Sequence, residues 1–161
     1  MKIGVIADTH IPVNLATLPA ELKTIFKGVD MIIHAGDLVE ESVITALKHI
    51  CPRVEVVAGN MDSGAALAEL PKKKTLHIGN ITIGVVHGWG GPQDVPETAR
   101  KEFKRADVIV FGHSHQPLNE RRGGVLLFNP GSATDTVFAP YQSVGILHID
   151  DDQVRGEIIR L

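Results

Sequence analysis

Gly112-His113-Ser114-His115 places two imidazoles two residues apart, directly behind the apolar run Asp107 to Val110. On an extended segment residues i and i+2 share a side, so both rings can reach one object at a strand end; imidazole readily serves a metal ion there. Donors of the same kind recur after other apolar runs. Asp8-Thr9-His10 follows Ile3 to Ala7, Gly36-Asp37 follows Asp30 to His34, Gly59-Asn60-Met61-Asp62 follows Arg53 to Ala58, and His87-Gly88 follows Ile81 to Val86. Taken singly, each is explained by a turn, a left-handed Asn, a helix N-cap or a rim histidine. Taken together, carboxylate, amide and imidazole donors at five strand ends indicate one metal site, because ligands of open α/β sheets bind beyond the carboxyl ends of the strands.

The elements that must carry these donors are readable from periodicity. Ile3 to Ala7 and Asp30 to His34 are almost unbroken β-branched and apolar runs, as expected of strands buried on both faces. Between them Leu22, Ile25 and Phe26 recur at helical spacing over Pro19 to Lys27, and Val43, Ile44, Leu47 and Ile50 do so over Glu41 to Ile50. With a third strand over Arg53 to Ala58, this alternation implies a parallel sheet with right-handed crossovers, followed by a short helix over Gly64 to Leu70. The second half changes to hairpins: Thr75 to Ile78 with Ile81 to Val86, then Leu118 to Arg121 with Val125 to Phe128. A helix over Glu97 to Arg105 precedes the Asp107 to Phe111 strand, and strands over Gln142 to Ile149 and Val154 to Ile159 finish the chain.

At 161 residues the chain fits one domain spanning 1–161. A net charge of -3 and a pI near 6.2 argue against a broad nucleic-acid surface. Cys51 is the one cysteine, so no internal disulfide forms, and no run approaches the ~18 apolar residues of a membrane span. The expected location is cytoplasmic, with no membrane partner. Lys72-Lys73-Lys74 and Arg121-Arg122 are read as solvated charge, His49 and His77 as surface or packing residues, and His148 lacks the ligand context of the strand-end histidines.

The series Asp-x-His, Gly-Asp, Gly-Asn-x-Asp, His and Gly-His-x-His, together with Asn129-Pro130-Gly131-Ser132, resembles the calcineurin-like metallophosphoesterase superfamily over essentially the whole chain. The resemblance extends to its small, capless YfcE-type phosphodiesterase branch. It implies an α/β fold of two mixed β-sheets packed as a sandwich and flanked by helices in four layers. It also implies two divalent metal ions, manganese first and nickel, zinc, iron or cobalt as alternatives. One ion would be held by Asp8, His10 and His115, the other by Asn60, His87 and His113, with Asp37 bridging both. Asp62 and His34 are expected to support these ligands from behind, Asp62 also capping the helix that follows. Small relatives are often oligomers, so a homo-oligomer is an expectation of the same kind.

The reaction implied is attack of a metal-bridging hydroxide on a small phosphoester. Four metal charges less two carboxylates and one hydroxide leave about one positive charge for the anionic substrate. Asp37, Asn60 and His87 act through the metals, and no protein nucleophile is needed; Ser114 and Ser132 are read as turn hydroxyls. Met61 stands where many superfamily members carry a leaving-group histidine, and a thioether cannot donate a proton, so diesters and good leaving groups should be favoured. Ala133 to Val137 lacks the arginine that relatives often place there. Trp89, in Gly88-Trp89-Gly90-Gly91, can stack on a base or aryl group or serve as a packing anchor. The competing readings are a protein-binding scaffold on the same fold, as in the retromer subunit, and a phosphomonoesterase or nuclease of the superfamily.

Overall fold

The computed structural model describes residues 1–64 and 67–161. Strands β1 (Lys2–Ile6), β2 (Met31–His34) and β3 (Val54–Val56) lie parallel, joined through helices α1 (Leu22–Ile25) and α2 (Ser42–Ile50). The hairpin β4 (Lys73–Ile78) and β5 (Ile81–Val86), helix α3 (Val95–Lys101), strand β6 (Val108–Val110) and the hairpin β7 (Leu118–Arg122) and β8 (Val125–Asn129) follow. The chain then returns to the first sheet as β9 (Ser143–Asp150) and β10 (Gln153–Arg160), with β9 antiparallel to β1. Among the described residues this makes two mixed five-stranded sheets, ordered β10-β9-β1-β2-β3 and β4-β5-β6-β8-β7.

Strand alternation explains the layering. Ile3, Val5, Met31 and Ile33 point one way and meet Ile83, Val85, Val108 and Val110 of the other sheet, forming the central core. Ile6, Ile32, Val144 and Ile146 point the other way and pack against Leu22, Phe26 and Leu47. Ile109, Phe111 and Leu127 likewise pack under Val95 and Ala99 of α3. The result is helix, sheet, sheet, helix. Each fully buried Ile, Leu or Phe contributes roughly 1.5–3 kcal/mol, so the sandwich holds the strand ends without cross-links. No helix among the described residues is long and apolar enough to cross a membrane.

Several elements depart from the sequence expectation. The first helix is a single turn rather than Pro19 to Lys27, because one turn already buries Leu22 and delivers Phe26 to the core. Helix α3 begins at Val95, where Pro96 suits the first turn, and ends at Lys101, since the Glu102 and Phe103 amides bond only three residues back. Of the helix expected over Gly64 to Leu70, residues 65–66 lie outside the described residues, and the Leu70 amide bonds to Leu67 O in a turn. Strand β4 starts at Lys73, and its lysines are paired rather than merely solvated. Lys73 Nζ lies 2.8 Å from Glu102 Oε2. Lys74 Nζ lies 2.9 Å from Glu55 Oε2 and so ties the edge strands of the two sheets together.

Candidate metal centre

Asp8 and His10 follow β1, Asp37 follows β2, Asn60 follows β3, His87 follows β5, and His113 and His115 follow β6. The structure brings all seven side chains to one end of the sandwich. Asp8, His10 and His115 offer ligand atoms within 4.8 Å of one another, and so do Asp8, Asp37 and His87. Asp37 Oδ2 lies 3.5 Å from His10 Nε2 and 3.3 Å from His87 Nε2, between the two groups. Asn60 Oδ1 lies 3.2 Å from His87 Nε2 and 3.0 Å from His113 Nδ1.

The turns that carry these residues are unusual for side-chain-bearing positions. Asp8, His10, Asp37, His113 and His115 all have left-handed backbones, with φ of 52, 42, 58, 66 and 57°. Each such position costs of order 1–3 kcal/mol, and clusters of them mark functional sites. The same fact corrects the simple strand picture of His113 and His115. Strand β6 ends at Val110, so the rings diverge through two left-handed turns, His113 toward Asn60 and His115 toward Asp8. Glycines let these loops close. A Cβ on Gly112 would sit 2.9 Å from Asp8 Oδ2, and one on Gly59 would overlap the Asp37 carboxylate.

Backbone and side-chain partners orient each ring. His87 Nδ1 donates to Ala35 O at 2.8 Å, which turns Nε2 toward Asp37 and Asn60. His113 Nε2 donates to Gly90 O at 3.2 Å, leaving its Nδ1 lone pair facing Asn60 Oδ1. His115 Nδ1 donates to Asp135 Oδ2 at 2.5 Å, so its Nε2 faces Asp8 Oδ1 at 3.7 Å. Lone pairs facing oxygen atoms repel unless a cation lies between them. Asp8 Oδ2 and His10 Nε2 are buried with no hydrogen-bond partner, and the donors are nitrogen and oxygen without sulfur. These orphaned atoms fit divalent cations of the kind bound by imidazole and carboxylate.

Burial alone would lower the His87 ring, but its bond to Asp37 and the charges of Asp8 and Asp37 outweigh it and push the ring up to about 9. Burial raises Asp8 to about 6 against the opposing pull of His87 and His115. Burial would also raise Asp37, yet the His87 bond and charge and the Met61 amide hold it below the usual carboxylate range. Without cations, a proton on His87 therefore offsets part of the charge of the two carboxylates. A cation needs that nitrogen unprotonated, so loading manganese at pH 7.5 is expected to release about one proton per chain from this ring. Unbuffered titration with a pH indicator measures it, and an unchanged release in His87→Asn would reject His87 as the source.

His34 and Asp62 both hydrogen-bond the loops that carry these donors. His34 is buried; its Nδ1 accepts from the Gly36 amide, which leaves Nε2–H for Thr9 Oγ1 at 3.1 Å. It therefore fixes the backbones leading to Asp37 and between Asp8 and His10. Burial pushes its ring down to about 3, so it stays neutral there. Asp62 accepts three amides, from Asp37, Val39 and Gly59, at 2.9, 2.8 and 2.8 Å. Its carboxylate thus binds the turn after β2 to the turn after β3; the helix start it was expected to cap includes residues 65–66, which lie outside the described residues. Ser132 Oγ donates to Asp8 O at 2.7 Å, and Ser114 Oγ accepts from Asn129, in keeping with turn roles for both hydroxyls.

Asp135 is the functional residue that the sequence reading missed. It holds His115 and also accepts the amides of Val137, Phe138 and Ala139, so one carboxylate shapes its loop and aims the imidazole. The available signal was general: a ligating histidine needs an acceptor behind it. No spacing rule connects position 135 to 115.

Residues 1–152 match the calcineurin-like phosphoesterase superfamily domain. A probable metallophosphoesterase of Methanothermobacter thermautotrophicus is 37% identical to this chain, over 99% of its length and 92% of that protein. Among solved structures, Vps29 of Entamoeba histolytica complexed with zinc is 27% identical with a TM-score of 0.77, covering 99% of each chain. An archaeal phosphodiesterase is 26% identical with a TM-score of 0.73, over 99% of this chain and 100% of that one.

Proposed function

The chain belongs to the calcineurin-like phosphoesterase superfamily, and from that premise we propose that it is a two-cation phosphodiesterase acting on small phosphoesters. The observation that carries this reading is the convergence of seven donor residues, two of which, Asp8 and His10, hold buried atoms with no hydrogen-bond partner. Divalent cations, manganese first, would supply Lewis acidity there and bring the pKa of water into the neutral range. Asp8, His10 and His115 would hold one cation and Asn60, His87 and His113 the other, with Asp37 reaching both. Only Asp8 and Asp37 among these seven are carboxylates, so the neutral amide and imidazoles leave positive charge for an anionic ester. Asp135 keeps the His115 Nε2 lone pair aimed inward, and Gly90 O does the same for His113 Nδ1.

A protein nucleophile is not part of this reading. Ser132 Oγ is spent on Asp8 O, and Cys51 is buried against Val29 O. Leaving-group protonation is the missing element, because the thioether at Met61 has no proton to give. Met61 is exposed and its amide donates to Asp37 Oδ1 at 2.8 Å, so position 61 overlooks the site. Met61→His is accordingly expected to raise kcat/KM for an alkyl phosphomonoester about 10²-fold relative to an aryl diester, the usual contribution of a general acid. An unchanged ratio would show that leaving-group protonation does not limit the enzyme.

The likeness to Vps29 supports a second reading, a protein-binding scaffold, and Val137 and Phe138 lie exposed beside the site, with Phe138 6.4 Å ring to ring from His115. Metal stoichiometry measured together with hydrolysis of bis-p-nitrophenyl phosphate separates the two. Two cations per chain with turnover supports the phosphodiesterase, and loaded protein that turns over no ester rejects it.

A further inference from the structure

A cavity of about 580 Å³ opens beside Asn60 and His87 at the edge where the two sheets meet. It exists because the start of β4 lies against the end of β5, Lys73 opposite Val86, while the Ala58 amide bonds Pro71 O and draws the turn after β3 alongside. Its walls include Leu67, Leu70, Val86 and Trp89. Trp89 is 49% exposed, so half of its surface is open to a ligand, whereas Leu67 and Val86 are buried and line the floor. The tryptophan is also positioned by the centre itself. Its neighbours are His87 two residues before and Gly90, whose carbonyl holds His113, and its own carbonyl accepts from Thr98 Oγ1 at 2.9 Å.

The carboxylates in the lining are already engaged. Glu102 is paired with the Lys73 ammonium, Asp62 is turned onto three backbone amides, and Lys72 adds positive charge to the lining. The volume is that of a small-molecule site, and the mixture of apolar wall, exposed indole and cationic edge suits a planar group joined to a phosphate. Resting on the phosphodiesterase reading above, we propose that this cavity is a substrate subsite for a nucleobase. The substrate class is then a nucleoside phosphodiester, with its base stacked on Trp89 and its phosphate at Asn60 and His87.

Trp89 is the one tryptophan in the chain, so its emission reports the subsite directly. Metal-free protein titrated with adenosine 5′-monophosphate should show saturable quenching, and ribose 5-phosphate should not; equal responses, or none, would overturn the subsite. In manganese-loaded protein, thymidine 5′-p-nitrophenyl phosphate and methyl p-nitrophenyl phosphate release the same leaving group. The ratio of their kcat/KM values should favour the thymidine ester and fall about tenfold in Trp89→Ala, as loss of one stacked base predicts, with most of it restored in Trp89→Phe. A ratio near one, or a preference that survives Trp89→Ala, rejects the proposal while leaving a phosphodiesterase in place. Quenching by adenosine 5′-monophosphate with turnover of neither ester supports the subsite and rejects the phosphodiesterase.

Discussion

Asp37→Asn is expected to lower bis-p-nitrophenyl phosphate hydrolysis at least about 10³-fold and to reduce bound metal at both positions together, the loss typical of removing a central preorganised charge. The substitution keeps the shape of the residue, and an asparagine Oδ1 can still accept the Met61 amide, so the loop it anchors has no reason to unfold. What disappears is the negative charge that lies 3.5 Å from His10 Nε2 and 3.3 Å from His87 Nε2. A second readout follows without any metal: the His87 ring, pushed up to about 9 largely through Asp37, should titrate lower in the variant. His113→Ala and His115→Ala provide the contrast, because those rings face Asn60 and Asp8 respectively and should each weaken a different position. Metal analysis with two cations retained in Asp37→Asn, or identical losses from the two histidine variants, would contradict the assignment.

The largest effect on stability is expected at Asp62. Replacing it with alanine removes the acceptor for three amides at once, those of Asp37, Val39 and Gly59. A hydrogen bond lost to a charged acceptor costs about 1.5–3 kcal/mol, but Asp62 is only half-buried and water recovers part of it, so the total should be about 3 kcal/mol. For a chain of this length that corresponds to a fall in Tm of about 10 °C, measurable on metal-free protein by thermal unfolding. Asp62→Asn retains one acceptor oxygen and should fall roughly half as far. A fall of less than about 2 °C in Asp62→Ala would mean that water replaces the carboxylate fully. The same substitution frees the turns carrying Asp37 and Asn60, so metal affinity should drop about 10- to 100-fold, as is usual when a ligand loses its support.

How much of this was legible beforehand varies by element, for identifiable reasons. Strands β1, β2, β5, β6 and β8 were readable because a strand buried on both faces must be apolar almost throughout, a property of a few consecutive residues. Helices α1 and α3 were misplaced at their ends, since packing of Leu22 and Phe26 and the turn geometry after Lys101 decide where each stops. The pairing of Lys73 and Lys74 is invisible to a linear pattern because their partners Glu102 and Glu55 lie 29 and 19 residues away.

The amino-acid sequence by itself determined the chemistry of the centre: two carboxylates, one amide and four imidazoles, each at the end of an apolar run, with no cysteine among them. Donor type and strand-end position are local facts, so a linear reading reaches them. Tertiary structure alone decided how the donors face one another. Asp37 stands between His10 and His87, and the left-handed turns at His113 and His115 send neighbouring rings to different partners. Asp62 became a tie between two loops, and Asp135 the support of His115. Those outcomes depend on contacts such as the His113 amide on Asp8 Oδ1, 105 residues apart, which form only when the sheets pack and bring the loops together.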